Sequence, residues 1–237
     1  MIINLISTPR NISTALMYSF AQRNDTQVID EPFYAYYLQK TGTWHPGRAE
    51  VIASMSTNFH DILQTIYQQE NTIPRLFIKN MAHHLTESDL SFLKQMKNLF
   101  FIRNPKQPIA SFAQVIKYPT MQDIGVKHQY ELYEYLIHAG HQPVVLDSGE
   151  LLKNPKKVLM ALCDSLAIPY DEAMLSWEAG PRPEDGVWGK HWYKNVHQST
   201  GFQKQKSSER LLPKHCEALY LAAKPYYDSL FQHSIKA

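Results

Sequence analysis

Five strand candidates punctuate the chain, at 2–6, 26–30, 75–79, 98–102 and 143–147, most of them short apolar runs, and stretches with helical periodicity lie between them. Apolar runs of this length read as buried strands. Helical patterns occupy 12–23, 48–70, 86–96, 106–117, 122–140, 155–167 and 213–232; in the first, Ile12, Leu16 and Phe20 recur at i, i+4 and i+8. Strands alternating with helices predict an α/β fold, a three-layer α/β/α sandwich around a mostly parallel sheet of about five strands. At 237 residues the chain can bury such a core as one domain, 1–237. The interval 177–206 is the least regular, with Gly180, Pro181, Pro183, Gly186, Gly189 and Gly201. An aperiodic stretch of that length predicts a functional lid or a mobile segment.

Composition narrows the function classes. A net charge of +2 implies no general polyanion-binding surface, so no nucleic-acid partner is expected and any positive potential must be local. No apolar run reaches membrane-spanning length, and the first lacks a basic lead and a cleavage site; no membrane partner is expected. Cys163 and Cys216 fall in helical patterns and predict buried, inert thiols rather than a disulfide framework. A P-loop kinase needs Gly-x-x-x-x-Gly-Lys-Ser/Thr, and the segment from Thr8 to Thr14 has neither the glycines nor the lysine. The eleven histidines show no His-Glu-x-x-His grouping, so no metal is expected.

Two strand ends carry anion-type chemistry. Leu99-Phe100-Phe101-Ile102-Arg103-Asn104-Pro105 runs from a buried strand into a cation, and Pro105 suits the first turn of a helix that carries Ser111 about two turns on. A guanidinium and a hydroxyl converging at the carboxyl end of a strand make a phosphate site. Met1 to Ile6 likewise leads into Ser7-Thr8-Pro9-Arg10-Asn11-Ile12-Ser13-Thr14, a tight loop opening a helix. The amino end of that helix offers unpaired N–H groups to an anion, with Arg10, Ser13 and Thr14 beside it.

The first segment resembles the 3′-phosphate-binding stretch, Arg-Asn-Pro-Lys-Asp-x-x-x-Ser, of sulfotransferases that use 3′-phosphoadenosine-5′-phosphosulfate (PAPS), with Gln107 in place of the Asp. The second is similar to their Pro-Arg-Ser-Gly-Ser-Thr loop, which grips the 5′-phosphosulfate. Here Ile12 replaces the glycine. A β-branched residue takes positive φ only with strain, so either the loop uses negative φ at that position or the anion sits farther out. A third stretch, Pro143 to Pro155, resembles the family's strand, acidic turn and helix entry, and the apolar stripe Val158, Leu159, Leu162 and Leu166 follows it. The likeness runs from residue 1 to about 170.

The resemblance implies a P-loop-like sulfotransferase fold, PAPS as co-substrate, and a cytoplasmic enzyme that transfers a sulfuryl group to a hydroxyl or amine of a small-molecule or carbohydrate acceptor. Arg10, Asn11, Ser13 and Thr14 would hold the 5′-phosphosulfate, with Arg10 beside the leaving group; Arg103 and Ser111 would hold the 3′-phosphate. Glu31-Pro32 matches the Glu-Pro of carbohydrate sulfotransferases, where the glutamate is the base. The rival base is a histidine: the cytosolic members have Lys-Thr-His after Pro-Arg and an apolar strand. Lys79 matches that lysine, but Met81 stands at the histidine position, with His83 and His84 further along. Phe33, Tyr34, Tyr36, Tyr37 and Trp44 are candidates for acceptor contact or for core packing, and Arg48 for an anionic acceptor. Trp188 or Trp192 would stack on adenine, with Lys190, Lys194 or Lys204 near phosphate. The alternative is an inactive nucleotide-binding module of the same fold. Similar Pro-Arg-Asn-x-Ser-Thr domains occur in plant proteins labelled aminotransferase-like, yet nothing in these residues resembles a pyridoxal-phosphate fold.

Overall fold

The computed structural model describes residues 1–87, 89–114, 116–203 and 210–237. Its strands are β1 (Ile2–Ser7), β2 (Thr26–Asp30), β3 (Arg75–Met81), β4 (Lys97–Ile102), β5 (Val144–Asp147) and β6 (Ser234–Ile235). They form one six-stranded sheet in the order β2-β3-β1-β4-β5-β6, and every pairing is parallel. The sheet thus matches the expected class and adds one strand. β6 pairs only Ser234 and Ile235 with the edge of β5, and two residues carry no periodicity to read.

Along β1, Ile2 and Ile6 face one apolar layer while Ile3 and Leu5 face the other. Strands buried on both faces lose the alternation of polar and apolar residues, which is why these runs look continuous. The helices are α1 (Ser13–Ala21), α2 (Tyr34–Thr41), α3 (Arg48–Ser54), α4 (Phe59–Glu70), α5 (Lys106–Phe112), α6 (Met121–Ile124), α7 (Val126–His138), α8 (Ser148–Lys153), α9 (Pro155–Leu166), α10 (Gly189–Trp192) and α11 (Glu217–Gln232). α1 and α9 cover one face of the sheet, with Val158, Leu159, Leu162 and Leu166 fully buried there. α4, α7 and α11 cover the other. Cys163 and Cys216 are buried and free.

Several helices are shorter than their patterns. The 48–70 pattern breaks where Asn58 caps α4, accepting from the N–H groups of His60 and Asp61. The 122–140 pattern breaks at Gly125, whose φ of 66° ends α6. The 86–96 pattern keeps only a 3-10 turn over Ser91–Gln95. α8 occupies the acidic turn, capped by Asp147. From 177 to 203 the irregular stretch is anchored in the protein: Trp177, Trp188 and Tyr193 are all buried.

A ladder of asparagine amides crosses the sheet. Asn80 donates to Asn4 at 2.8 Å and Asn4 donates to Asn98 at 2.9 Å, so one buried amide joins β3, β1 and β4. These three strands carry the residues of the candidate site at their carboxyl ends. Asn4→Ala leaves a donor on Asn80 and an acceptor on Asn98 without partners. It should lower unfolding stability by about 3 kcal/mol, the scale for two unpaired buried polar groups. Urea unfolding measures this, and a loss below about 1 kcal/mol contradicts the ladder's role.

Candidate active site

The carboxyl ends of β1, β4, β2 and β3 meet at one edge of the sheet, and three residues there other than glycine have positive φ: Arg10 at 62°, Ile12 at 51° and Glu31 at 42°. Backbone strain of this kind concentrates at functional sites. Ile12 removes one of the two alternatives, negative φ or an anion farther out. It takes the left-handed conformation that glycine would take, at about 1–2 kcal/mol, so the negative-φ alternative is wrong. Its side chain packs on the α1 face of the core, which offsets part of that strain. Among the described residues no side chain caps the amino end of α1, so its first N–H groups keep their capacity for an anion.

Asn11 is turned inward. Its amide donates to Ser7 Oγ at 3.2 Å and to the Phe101 carbonyl, tying the loop to β1 and β4, so its side chain is not free to hold phosphate. Ser13 and Thr14 lie in the first turn of α1, and Thr14 Oγ1 is 3.4 Å from Lys79 Nζ.

Next to this loop, guanidinium groups converge on one hydroxyl. Arg10 Nε donates to Ser111 Oγ at 2.9 Å, and Arg210 Nη1 reaches the same oxygen at 3.4 Å. Arg103 Nη1 donates to the Arg10 carbonyl at 2.8 Å, and Arg103 Nε to Gln107 Oε1 at 2.5 Å. Gln107 orients Arg103 as an aspartate would, without neutralising it. Among the described residues, none of the three arginines has a carboxylate within 4.0 Å. Burial, and then the charge of Arg210, hold Arg10 below its ordinary pKa; burial does the same for Arg103, with Asp147 opposing and Arg10 adding to it. Converging cations without counter-charge suit an oxyanion. A cavity of about 220 Å³ adjoins Arg103 and is lined also by Asn104, Asp147, Tyr227 and Phe231. Arg210 carried no signal in the sequence, since it stands alone in an unpatterned stretch. Arg10 is brought to Ser111, nearer the Arg103 station than the resemblance implied.

The other half of the edge is acidic. Asp30 ends β2, Glu31 follows it, and Lys79 of β3 lies between them with no exposure. Lys79 Nζ donates to Asp30 Oδ1 at 2.5 Å, Glu31 Oε1 at 2.7 Å and Tyr193 OH at 2.6 Å. All three of its hydrogens are committed, so Lys79 holds the carboxylates and offers no free N–H to a transferred group. Burial pushes the Glu31 carboxyl up to about 7; Lys79 opposes this and Asp30 adds to it. Lys79 itself stays above its ordinary value because Asp30 and Glu31 outweigh burial.

Among the described residues nothing hydrogen-bonds Glu31 Oε2, and His84 Nδ1 lies 3.7 Å from it. Met81 closes β3, and His83 and His84 form a single 3-10 turn behind it. The His84 ring is stacked on Tyr34 and on Tyr37, with centroids at 4.6 and 4.8 Å. Phe33 belongs to the core beside Phe59 and Phe92, Tyr36 OH accepts from Lys40 at 2.7 Å, and Trp44 is 78% exposed. Arg48 Nη2 is bonded to the Leu38 carbonyl at 3.1 Å, and among the described residues its Nε has no partner.

The expected adenine platform is corrected in part. Trp188 is buried, edge-on to Tyr34, and cannot stack on a base. Lys190 pairs with Glu50, and Trp192 lies near His45. Lys194 is exposed, and Lys204 lies outside the described residues.

Burial holds His83 at about 3 and His84 well below its ordinary value, so both are neutral at pH 7. The native state therefore binds fewer protons here than the unfolded chain below pH 6.5, and stability from both histidines is lost as pH falls through that value. Glu31, raised from 4.5 to about 7, acts oppositely between those values. Two histidines outweigh one carboxylate, so stability should fall by roughly 1.4 kcal/mol per pH unit between pH 6 and 5. Denaturant unfolding at both pH values should show this fall, and His84→Gln should flatten it. A protein more stable at pH 5 contradicts it.

A family described as "Sulfotransferase domain" matches residues 1–234. Two Arabidopsis thaliana proteins, branched-chain-amino-acid aminotransferase-like proteins 1 and 2, are 38% and 34% identical to the chain over 233 and 234 residues. Each match covers 98% of this chain and 42% of that protein, so the chain spans about two fifths of the length of these curated relatives. The sulfotransferase domain of the Synechococcus PCC 7002 olefin synthase superposes with a TM-score of 0.61 at 18% identity, covering 99% of this chain and 95% of that one. A sulfotransferase from Alicyclobacillus acidocaldarius gives 0.59 at 10% identity, covering 98% and 96%. At these identities the likeness is one of fold.

Proposed function

Since the chain belongs to the sulfotransferase domain family, matched over residues 1–234, we propose that it moves a sulfuryl group from PAPS to a hydroxyl or amine of a small-molecule or sugar acceptor. The observation that carries this reading is the division of the sheet edge into two halves. An uncompensated arginine cluster at Ser111 adjoins the α1 loop, and a buried carboxylate with one free oxygen adjoins the same loop through Lys79 and Thr14.

The 5′-phosphosulfate would lie on the amino end of α1, with Ser13 and Thr14 beside it. Arg103, Ser111 and Arg210 would hold the 3′-phosphate, and Arg10 stands between the two stations. The cavity next to Arg103 would receive part of the nucleoside. In the transfer step Glu31 Oε2 takes the acceptor proton as the acceptor oxygen (or nitrogen) bonds to sulfur. The bond from sulfur to the phosphate oxygen breaks, and its electron pair leaves with adenosine 3′,5′-bisphosphate, whose charge the arginines stabilise. Such in-line transfer depends mainly on positioning and charge stabilisation. Lys79 serves this step by holding Glu31 in place.

The base must be ionised, so activity should rise with pH through about 7, where Glu31 loses its proton. Glu31→Gln should lower turnover with PAPS by about 10²–10⁴-fold, the scale for a general base, while adenosine 3′,5′-bisphosphate affinity stays nearly unchanged. Radiolabelled sulfuryl transfer against an acceptor library measures the first and calorimetry the second. If the wild-type protein binds the bisphosphate but turns over no acceptor, it is an inactive nucleotide-binding module. If Glu31→Gln stays active and His84→Ala does not, the base is the histidine.

A further inference from the structure

The hydrogen inventory around Lys79 is asymmetric in a way that the carboxylates alone do not explain. Asp30 and Glu31 both contact the same ammonium through one oxygen. Two carboxylates sharing one cation would compete for a single proton. The difference between them comes from the stretch 185–193, far along the chain.

Tyr193 OH lies 2.7 Å from Asp30 Oδ2, 2.6 Å from Lys79 Nζ, 3.0 Å from Trp188 Nε1 and 3.5 Å from Glu31 Oε1. A phenol has one hydrogen to donate and two lone pairs to accept with. Lys79 and Trp188 are donors only, so they fill the lone pairs, and the one hydrogen goes to the nearer acceptor, Asp30. Nothing is left for Glu31. Gly186 N–H, from the same stretch, also points to Asp30 Oδ2, at 3.4 Å. The donors of this stretch therefore favour Asp30, Glu31 Oε1 lying farther from the Tyr193 hydroxyl, at 3.5 Å against 2.7 Å.

We propose that Tyr193 is a positioning residue whose hydroxyl fixes Asp30 as the permanent anion beneath Lys79 and thereby leaves Glu31 as the carboxylate that exchanges protons. The functional consequence rests on the sulfotransfer reading; the proton assignment does not.

The hydroxyl is held firmly enough for that task. Its ring is buried and lies under the Lys79 ammonium at 5.0 Å from the centroid. Trp188 is wedged edge-on against Tyr34, with centroids 5.1 Å apart. Asp185 anchors the stretch by accepting from Tyr18 OH at 2.5 Å, from His197 at 2.8 Å and from the Arg182 N–H at 2.9 Å. Burial, together with Asp30 and Glu31, keeps the Tyr193 hydroxyl protonated far above neutrality, so it remains a donor. The other ionisable groups facing the pair are Tyr18 from α1, His84 and His83 from the turn after β3, Tyr34 and Tyr37 from α2, and, through Tyr34, His45. His45, His83 and His84 are held below their ordinary values by burial, so Lys79 is the cation in contact with the pair.

Carboxyl-carbon NMR of the full chain, labelled at aspartate and glutamate, tests the assignment without needing turnover. In the wild-type protein the Glu31 resonance should follow proton uptake near pH 7, and a step on Asp30 in its place overturns the proposal. Tyr193→Phe keeps the ring and removes the donor to Asp30. Proton uptake should then move to higher pH by about one unit, a tenfold gain in proton affinity, and spread onto Asp30. Asp30→Asn should move the Glu31 step the other way, because the like charge is gone. The acid limb of the pH profile for sulfuryl transfer should follow Tyr193→Phe upward. An unmoved Glu31 titration in a folded Tyr193→Phe protein overturns the proposal and leaves the sulfotransfer reading standing. Absent turnover with the titration pattern intact does the reverse. If Tyr193→Phe does not fold, the wild-type and Asp30→Asn titrations still decide.

Discussion

A lysine ammonium with no solvent exposure sits between two carboxylates at the end of β3, and the candidate site is arranged around it. Removing such a charge from water costs several kcal/mol, and the Coulomb gain returns that only when the partners are close and fully hydrogen-bonded. Lys79 meets the condition by giving its three hydrogens to Asp30, Glu31 and Tyr193, which draws together β2, β3 and the late stretch, with Thr14 of α1 beside them at 3.4 Å. A cluster of this kind is a poor way to gain stability, because apolar residues of similar volume do as well or better. Its value is positional. It holds one carboxylate with an oxygen to spare beside the loop that opens α1.

Sign separation along the sheet edge follows. The ends of β1 and β4 carry Arg10 and Arg103, which approach each other and Arg210 with no described carboxylate within 4.0 Å, Asp147 acting on Arg103 only from farther off. The ends of β2 and β3 carry the carboxylates and their lysine. Between them lies a loop that accepts positive φ at Arg10 and at a β-branched residue, with its asparagine pinned to the Phe101 carbonyl. Strain and unbalanced charge at one spot are costs that a purely structural edge has no reason to carry.

Much of this was legible in the sequence because it lies at strand ends. Most of the strands announced themselves as apolar runs, and the residue types after β1, β2 and β4 marked the sheet edge that carries Arg10, Glu31 and Arg103. The α1 and α9 stripes were equally plain. What escaped depends on partners distant in sequence. Tyr193 looked like one aromatic among many in an irregular stretch, and only the fold brings it to Asp30. Arg210 had no pattern around it. Asn11 read as a ligand because a polar residue in an anion-type loop usually is one; its partner is a backbone carbonyl of β4, which no side-chain pattern reveals. Ile12 posed a conflict that local propensity could not settle, and packing on the core settled it toward the strained conformer.

On the proposed reading, the arginine cluster and the α1 loop are two stations for one nucleotide phosphorylated at both the 3′ and 5′ positions. Calorimetry with adenosine 3′,5′-bisphosphate, ADP and ATP tests it most directly. The account predicts that the bisphosphate binds at least about tenfold more tightly than either, and that Arg103→Ala erases the difference while hardly changing AMP binding; a tenfold preference corresponds to about 1.4 kcal/mol. Equal affinity for all three nucleotides, or an equal loss for AMP and the bisphosphate in Arg103→Ala, would contradict it.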